Sequence, residues 1–246
     1  METSIDEAWK AFLCNGVHGQ CWPQNVYAVV CSKLSCYLTK NVSKTVHAED
    51  GVLDYLENLL RRRALRPQRL KLFLSASPCQ RCSQRIITFL NTARWRYGVT
   101  LEMEVVFSAF YQIRRPSCEL NPACRNHLPS YHDHVAQVAG LKQLYWTQGV
   151  ILRTFNCQDW LYLGNFLKKT TINIRYRHYQ DNLLRREFLT IMDLIGSTTY
   201  IPECNYFQSD ESLSYMEPST NWDCITLLFI FVPVLLFLVF LTFLYF

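Results

Sequence analysis

His47-Ala48-Glu49 and, 28 residues further on, Pro78-Cys79-Gln80-Arg81-Cys82 are the stretches on which the fold turns. A histidine and two cysteines supply one imidazole and two thiolates, the donor set of a zinc site. Three protein ligands leave the fourth tetrahedral position open, as in catalytic rather than structural zinc. Cys79 and Cys82 stand at i and i+3, so a helix starting at Pro78 puts both sulfurs on one face of its first turn. The positive end of that helix favours the ligating thiolates. Glu49, two residues from His47, can exchange protons with a metal-activated water without occupying the metal.

The pattern around these stretches is one of alternating elements. Val26–Cys31 and Cys36–Thr39 read as a hairpin about Ser32-Lys33. Leu53, Leu56, Leu59 and Leu60 recur at helical spacing after His47, and Arg61-Arg62-Arg63 suits the C-terminal end of that helix as solvated charge. Leu70–Leu74 is a compact strand leading into Pro78, and Ile86, Ile87, Phe89 and Leu90 mark the buried side of the next helix. Further on, 101–110 reads as strand, 135–146 as helix, 150–155 as strand, and 160–168 and 179–195 as helices. The expected class is α/β, with a partly parallel sheet covered by helices.

Four segments follow: 1–20, a folded domain over 21–196, a polar linker over 197–224, and an apolar stretch over 225–246. The last is free of charge over 22 residues, enough to cross a hydrocarbon core of about 30 Å. Residues 1–19 carry Glu2, Asp6, Glu7 and Lys10 and lack the apolar core of a signal peptide. That combination implies a tail anchor with the domain in the cytosol. A glycolipid anchor at the cell surface is the alternative, and it requires an N-terminal signal. Asn41-Val42-Ser43 is a glycosylation acceptor only in that second case.

All 25 Lys and Arg lie in residues 1–186 with 13 acids, a net charge of +12, while 187–246 hold 7 acids and no base. A domain of that charge attracts polyanions, so single-stranded DNA or RNA is the expected partner. Nine of the eleven cysteines lie outside the Cys-x-x-Cys pair. Reduced thiols are the expectation in the cytosol, whereas several disulfides point to an oxidising compartment. Cys118, Cys124, His127, His132 and His134 crowd one long loop, where a disulfide or no special role outweighs a second metal site.

The ordered combination His-x-Glu…Pro-Cys-x-x-Cys is similar to the signature of zinc nucleobase deaminases. Ser75-Ala76-Ser77-Pro78-Cys79-Gln80-Arg81-Cys82, Phe107-Ser108-Ala109-Phe110-Tyr111, Gly140-Leu141-Lys142-Gln143-Leu144, Gly149-Val150 and Phe155-Asn156-Cys157-Gln158-Asp159-Trp160 resemble successive boxes of the AID/APOBEC polynucleotide cytidine deaminases. Within that family the chain is closest to the muscle-type and fish secreted branches. The resemblance covers roughly residues 20–195 and implies a cytidine deaminase-like three-layer fold, a five-stranded mixed sheet with about six helices.

It also implies one zinc ion on His47, Cys79 and Cys82, Glu49 as proton shuttle, and conversion of cytosine to uracil in single-stranded DNA or RNA. A catalytically silent nucleic-acid-binding protein and a deaminase of free cytidine are the competing readings. Asn41, Ala76, Ser77 and Tyr111 are placed against the substrate, with Tyr111 stacking on the base and Asn41 resembling the sugar-contacting asparagine. Arg114 and Arg115 are placed on backbone phosphates or, equally well, left as a solvated pair. Ala76 departs from the family, whose active members carry Trp there, and the loop from Gln112 to about His134 is long for it.

Overall fold

The computed structural model describes residues 4–14, 25–33, 35–121, 124, 128–169 and 174–193, with side chains of the last segment from 177 onward. All belong to the first of the chain's two units, Met1–Tyr200. The proposed linker 197–224 and apolar stretch 225–246 lie outside the described residues. Among those described, no helix is long and apolar enough to cross a membrane.

Five strands form one sheet in the order β2-β1-β3-β4-β5. β1 (Tyr27–Cys31) pairs antiparallel with β2 (Cys36–Lys40) and with β3 (Gln68–Leu74). β3, β4 (Leu101–Phe107) and β5 (Val150–Thr154) run parallel. The helices are α1 (Ile5–Cys14), α2 (Ala48–Arg61), α3 (Gln80–Tyr97), the single turn α4 (Pro116–Glu119), α5 (Tyr131–Tyr145), α6 (Cys157–Phe166) and α7 (Ile174–Ile191).

Strand alternation sorts these helices into two layers. Ala28, Val30, Leu70, Leu72, Leu74, Met103, Val105 and Phe107 face a core shared with apolar residues of α2, α3, α5 and α7. Tyr27, Val29, Phe73 and Val106 face the opposite way, against Trp9 and Phe12 of α1 and Trp160 and Leu163 of α6. The expected five-stranded mixed α/β sheet, covered by helices on both faces, is therefore present.

Several boundaries differ from the sequence reading, each for a local reason. Pro78 does not open α3: Cys79 is its N-cap, in extended conformation with φ −71° and ψ 168°, and Gln80 is the first helical residue. β4 ends at Phe107, because Ser108 to Phe110 bend across the end of β3. α5 starts at Tyr131, four residues before the expected position, because Ser130 Oγ accepts the Asp133 N–H at 3.0 Å. α6 likewise starts early, on a reciprocal cap between Asn156 and Asp159. α1 has no counterpart in the sequence reading, although Ala8, Trp9, Ala11 and Phe12 carry an amphipathic spacing.

The cysteines also depart from the fully reduced expectation. Cys31 and Cys36 form a disulfide that closes the β1–β2 hairpin. Cys157 is disulfide-bonded as well.

Candidate metal and catalytic centre

The parallel strands β3 and β4 end in register at Leu74 and Phe107, so the segments after them run side by side. Ser77 N–H donates to Ala109 O at 2.7 Å, Tyr111 N–H donates to Ser77 Oγ at 2.9 Å, and Ser108 Oγ–H donates to Ser75 O at 3.2 Å. On the other side, Tyr27 N–H donates to Ser75 Oγ at 2.9 Å. These bonds fix the approach into α3 and set Cys79 at its N-terminus, the end of the sheet where α/β folds open clefts.

His47 is the N-cap of α2, and Asp50 closes a capping box by accepting the His47 N–H at 2.7 Å. The His47 Nε2 lies 3.0 Å from Lys44 O, which can only accept. Nε2 therefore carries the proton, and the Nδ1 lone pair is free to bind a cation. That lone pair faces both sulfurs: Cys79 Sγ at 3.4 Å and Cys82 Sγ at 3.3 Å. All three donor atoms lie within 4.8 Å of one another.

The spacing suits zinc. Zinc distances of about 2.0 Å to nitrogen and about 2.3 Å to sulfur set tetrahedral N···S separations near 3.5 Å. The donor chemistry fits too, because hydrogen bonding to Cys82 lowers the Cys79 thiol to about 5. The same contact, with burial, pushes Cys82 in the opposite direction. One sulfur is thus ready as thiolate while its neighbour holds the shared proton. Zinc would displace that proton.

Glu49 is 3% exposed at the first turn of α2. Burial raises its carboxyl to about 7, with the Cys79 charge adding to the effect. A carboxyl at that value gives and takes protons near neutrality.

The other expected residues divide into those at the centre and those committed elsewhere. Tyr111 sits edge-on to the His47 ring at a centroid distance of 6.4 Å. Its hydroxyl pKa is raised by burial and by the Cys79 and Glu49 charges. Ala76 and Ser77 are buried in the turn that leads to Cys79. Asn41 follows β2 on the way to His47, and its Oδ1 accepts the Val26 N–H at 2.7 Å.

Arg114 is one-third exposed and pairs with Glu119 at 3.0 Å. Arg115 is not on the surface: it is 5% exposed, and its guanidinium lies 2.6 Å from Glu187 of α7. A buried charge needs a buried partner, so the guanidinium is drawn inward, and the paired phosphate role does not fit this residue. Of the loop residues considered for a second metal, His127 lies outside the described residues. Among those described, the only cluster of metal-binding side chains is His47, Cys79 and Cys82.

Sequence reasoning missed Asp50, Arg81 and Arg85, which join α2 to α3, and Gln137 and Gly140, which seat α5 against the start of α3. Asp50 accepts Arg81 at 2.6 Å and also bonds Arg85. Burial alone would raise its pKa, but Arg81, the His47 N–H and Arg85 more than offset it, leaving the carboxyl below its usual range. Gln137 of α5 accepts the Gln80 N–H at 2.8 Å, satisfying a first-turn donor of α3. Gly140 allows α5 that close, since a Cβ there would fall 2.5 Å from Gln80 Cα. Spacing held a signal: Arg81 and Arg85 lie four apart, and Asp50 stands at the capping-box position after His47.

No protein-family model and no curated protein matches the chain. Among solved structures, the dCMP deaminase from the cyanophage S-TIM5 is similar in two crystal structures. Its complex with dCMP and dUMP has 16% sequence identity, covering 61% of this chain and 93% of that one, with a TM-score of 0.31. The apo form has the same identity and coverage, with a TM-score of 0.30.

Proposed function

We propose that the chain is a zinc-dependent cytidine deaminase of the AID/APOBEC type, converting cytosine to uracil in single-stranded DNA or RNA. The observation that carries this reading is the convergence of His47 Nδ1 and two cysteine sulfurs beside a buried carboxyl, at the ordered spacing of the motif. The three-layer α/β/α arrangement of the described residues accords with a deaminase-like fold. The charge of the domain supports a polymeric substrate over free cytidine.

His47, Cys79 and Cys82 would hold the zinc, which when bound would supply activation of a water at neutral pH. Glu49 takes a proton from the attacking water and delivers it to the cytosine ring nitrogen as the oxygen bonds to C4. It then takes the second proton from that oxygen and hands it to the amino group, so that the C4–N bond breaks, ammonia leaves and the uracil carbonyl remains. The Lys44 carbonyl keeps the His47 ring in its ligating tautomer. Tyr111 offers a ring face and edge to the base, and Ser77, which accepts the Tyr111 N–H, lies beside it in the turn that leads to Cys79. Because Ala76 lacks the indole of active family members, base capture relies more heavily on Tyr111. Arg114, not Arg115, is the residue assigned to a backbone phosphate.

The test is uracil formation on cytosine-containing single-stranded DNA and RNA by the wild-type chain, beside a Glu49→Ala control, with zinc content measured on both. Uracil from the wild type alone supports the proposal. Zinc at one per chain with no uracil from either protein replaces it with the silent nucleic-acid-binding reading. Turnover of free cytidine that polymer does not inhibit points to the nucleoside enzyme.

Two placements accompany the proposal, a tail-anchored cytosolic domain and a surface domain on a glycolipid anchor. The disulfide-bonded Cys31, Cys36 and Cys157 favour the second, since such bonds persist in oxidising compartments. Protease protection in isolated membranes separates the two.

A further inference from the structure

The end of the sheet opposite the candidate metal centre carries a second chemically distinctive surface. β3, β4 and β5 start in near register, with Gln68 paired to Leu101 and Met103 to Val150. The three segments that precede them, 61–67, 94–100 and 146–149, are therefore neighbours along one edge of the fold. α3 alone separates this pole from Cys79 by roughly 27 Å, its 18 residues rising 1.5 Å each.

The first two of these segments are rich in arginine, and the third, Trp146-Thr147-Gln148-Gly149, has none. Arg62, Arg63, Arg66, Arg94 and Arg96 are exposed, and among the described residues none pairs with a carboxylate. The same segments expose two tryptophans, Trp95 at 77% and Trp146 at 73%. Arg94 links the segments: its guanidinium lies 5.1 Å from the Trp95 ring centroid, and its Nη1 donates to Gln148 Oε1 at 3.5 Å.

α3 closes on Gly98, at φ 65°. α2 closes on Arg63 at φ 55°, in the left-handed region that glycine fills without strain. Lys168 and Asp193 take the same conformation just past α6 and α7, so Arg63 marks a helix end that glycine would also suit.

The geometry points to a single-stranded nucleic-acid-binding surface at this pole, separate from the candidate active site, with bases stacked on Trp95 and Trp146 and phosphates held by the arginines. Flat rings interleaved with guanidinium groups match the alternation of base and phosphate along an unpaired strand. An anionic membrane is the other polyanion with an affinity for tryptophan and arginine. It favours aliphatic side chains that can enter the acyl layer. Here Leu65 is buried and Val99 packs against the core.

This inference does not depend on deamination. The test is a titration of a labelled twenty-residue thymidine strand, which has no cytosine, against the full chain by fluorescence anisotropy. Trp95→Ala with Trp146→Ala is expected to weaken binding about tenfold or more. Arg62→Ser with Arg63→Gly is expected to flatten the slope of log affinity against log salt by roughly 1.4, about 0.7 for each phosphate no longer neutralised. Arg63→Gly relieves the strained backbone, so weaker binding without a lower melting temperature excludes misfolding as the cause.

Unchanged affinity in both double variants, or no binding by the wild type, overturns the inference. So does capture by phosphatidylserine vesicles that exceeds strand binding and is lost in the same variants. Uracil formation is scored separately, so a strand-binding chain without uracil keeps this surface and loses the deaminase proposal.

Discussion

Arg81 Nη2 stands 2.6 Å from Asp50 Oδ2, and that same oxygen accepts the His47 N–H at 2.7 Å. One carboxylate thus joins the first turn of α2, which carries His47 and Glu49, to the first turn of α3, which carries both cysteines. Asp50→Asn removes the charge that holds both arginines while keeping the shape of the side chain. Zinc affinity, measured by competition with a chromogenic chelator, is expected to fall about ten- to hundredfold. Equal affinity in the variant would show that backbone alone sets the ligand geometry.

Gly140 gives a second handle on the same geometry. Its missing side chain lets α5 lie against the start of α3, where a methyl group would meet Gln80 backbone rather than a movable side chain. Gly140→Ala is expected to cost about 1–3 kcal/mol of stability, read by urea unfolding. It should also lower zinc affinity, because the shift reaches the residue between Cys79 and Arg81. A stable variant with unchanged zinc affinity would mean that α5 is free to move away.

The cluster of His47, Cys79 and Cys82 was legible in the sequence because metal chemistry restricts residue type and spacing together. The sheet was legible because Val26–Cys31 and Leu70–Leu74 are short apolar runs bounded by turn residues. What stayed hidden depends on contacts between distant segments. Nothing local to Arg115 distinguishes it from Arg114, yet Glu187, 72 positions away, draws one inward and leaves the other at the surface. The start of α5 was hidden because Tyr131, His132, Asp133 and His134 have no apolar period. Ser130 and its cap set that boundary instead. Asp159 stands inside one of the family-like boxes, but its cationic partners Lys71 and Arg153 reach it from β3 and β5 through tertiary packing.

The two neighbouring arginines should therefore behave oppositely. Arg115→Ala leaves Glu187 buried without its countercharge and should cost about 3–5 kcal/mol in unfolding measurements. Arg114→Ala, which breaks only a partly exposed pair with Glu119, should change stability by less than about 1 kcal/mol. It should instead weaken oligonucleotide binding. Reversed outcomes, with Arg115→Ala stable and binding-deficient, would restore the phosphate role to the buried residue.

Reduction offers a check on the hairpin. The Cys31–Cys36 bond closes a sequence separation of 5 residues, which restricts the unfolded chain by about 2 kcal/mol in the loop-entropy account. Cys31→Ser with Cys36→Ser is expected to lower the melting temperature by roughly 4–8 °C in a domain of this size. The double variant should also lose the fraction of reductant sensitivity that arises from this bond. An unshifted melting temperature would show that the strand ladder from Tyr27↔Lys40 to Cys31↔Cys36 is sufficient without it.

Acid should unfold the domain through Asp159. Its carboxylate has no side-chain exposure and contacts Lys71 at 2.6 Å and Arg153, while Arg153 also reaches Glu104. Burial by itself would raise its pKa, but hydrogen bonding and charge from Arg153, then Lys71, bring it below the ordinary value of 3.8. A group whose folded pKa is depressed adds stability that is complete above its unfolded value and disappears as pH falls through the folded one. The melting temperature of the wild type should therefore hold at neutral pH and decline from about pH 4 downward. Asp159→Asn should cost about 3–5 kcal/mol at neutral pH by leaving two cations poorly compensated, and it should flatten the acid decline. A variant whose acid decline matches the wild type would assign that limb to other carboxylates.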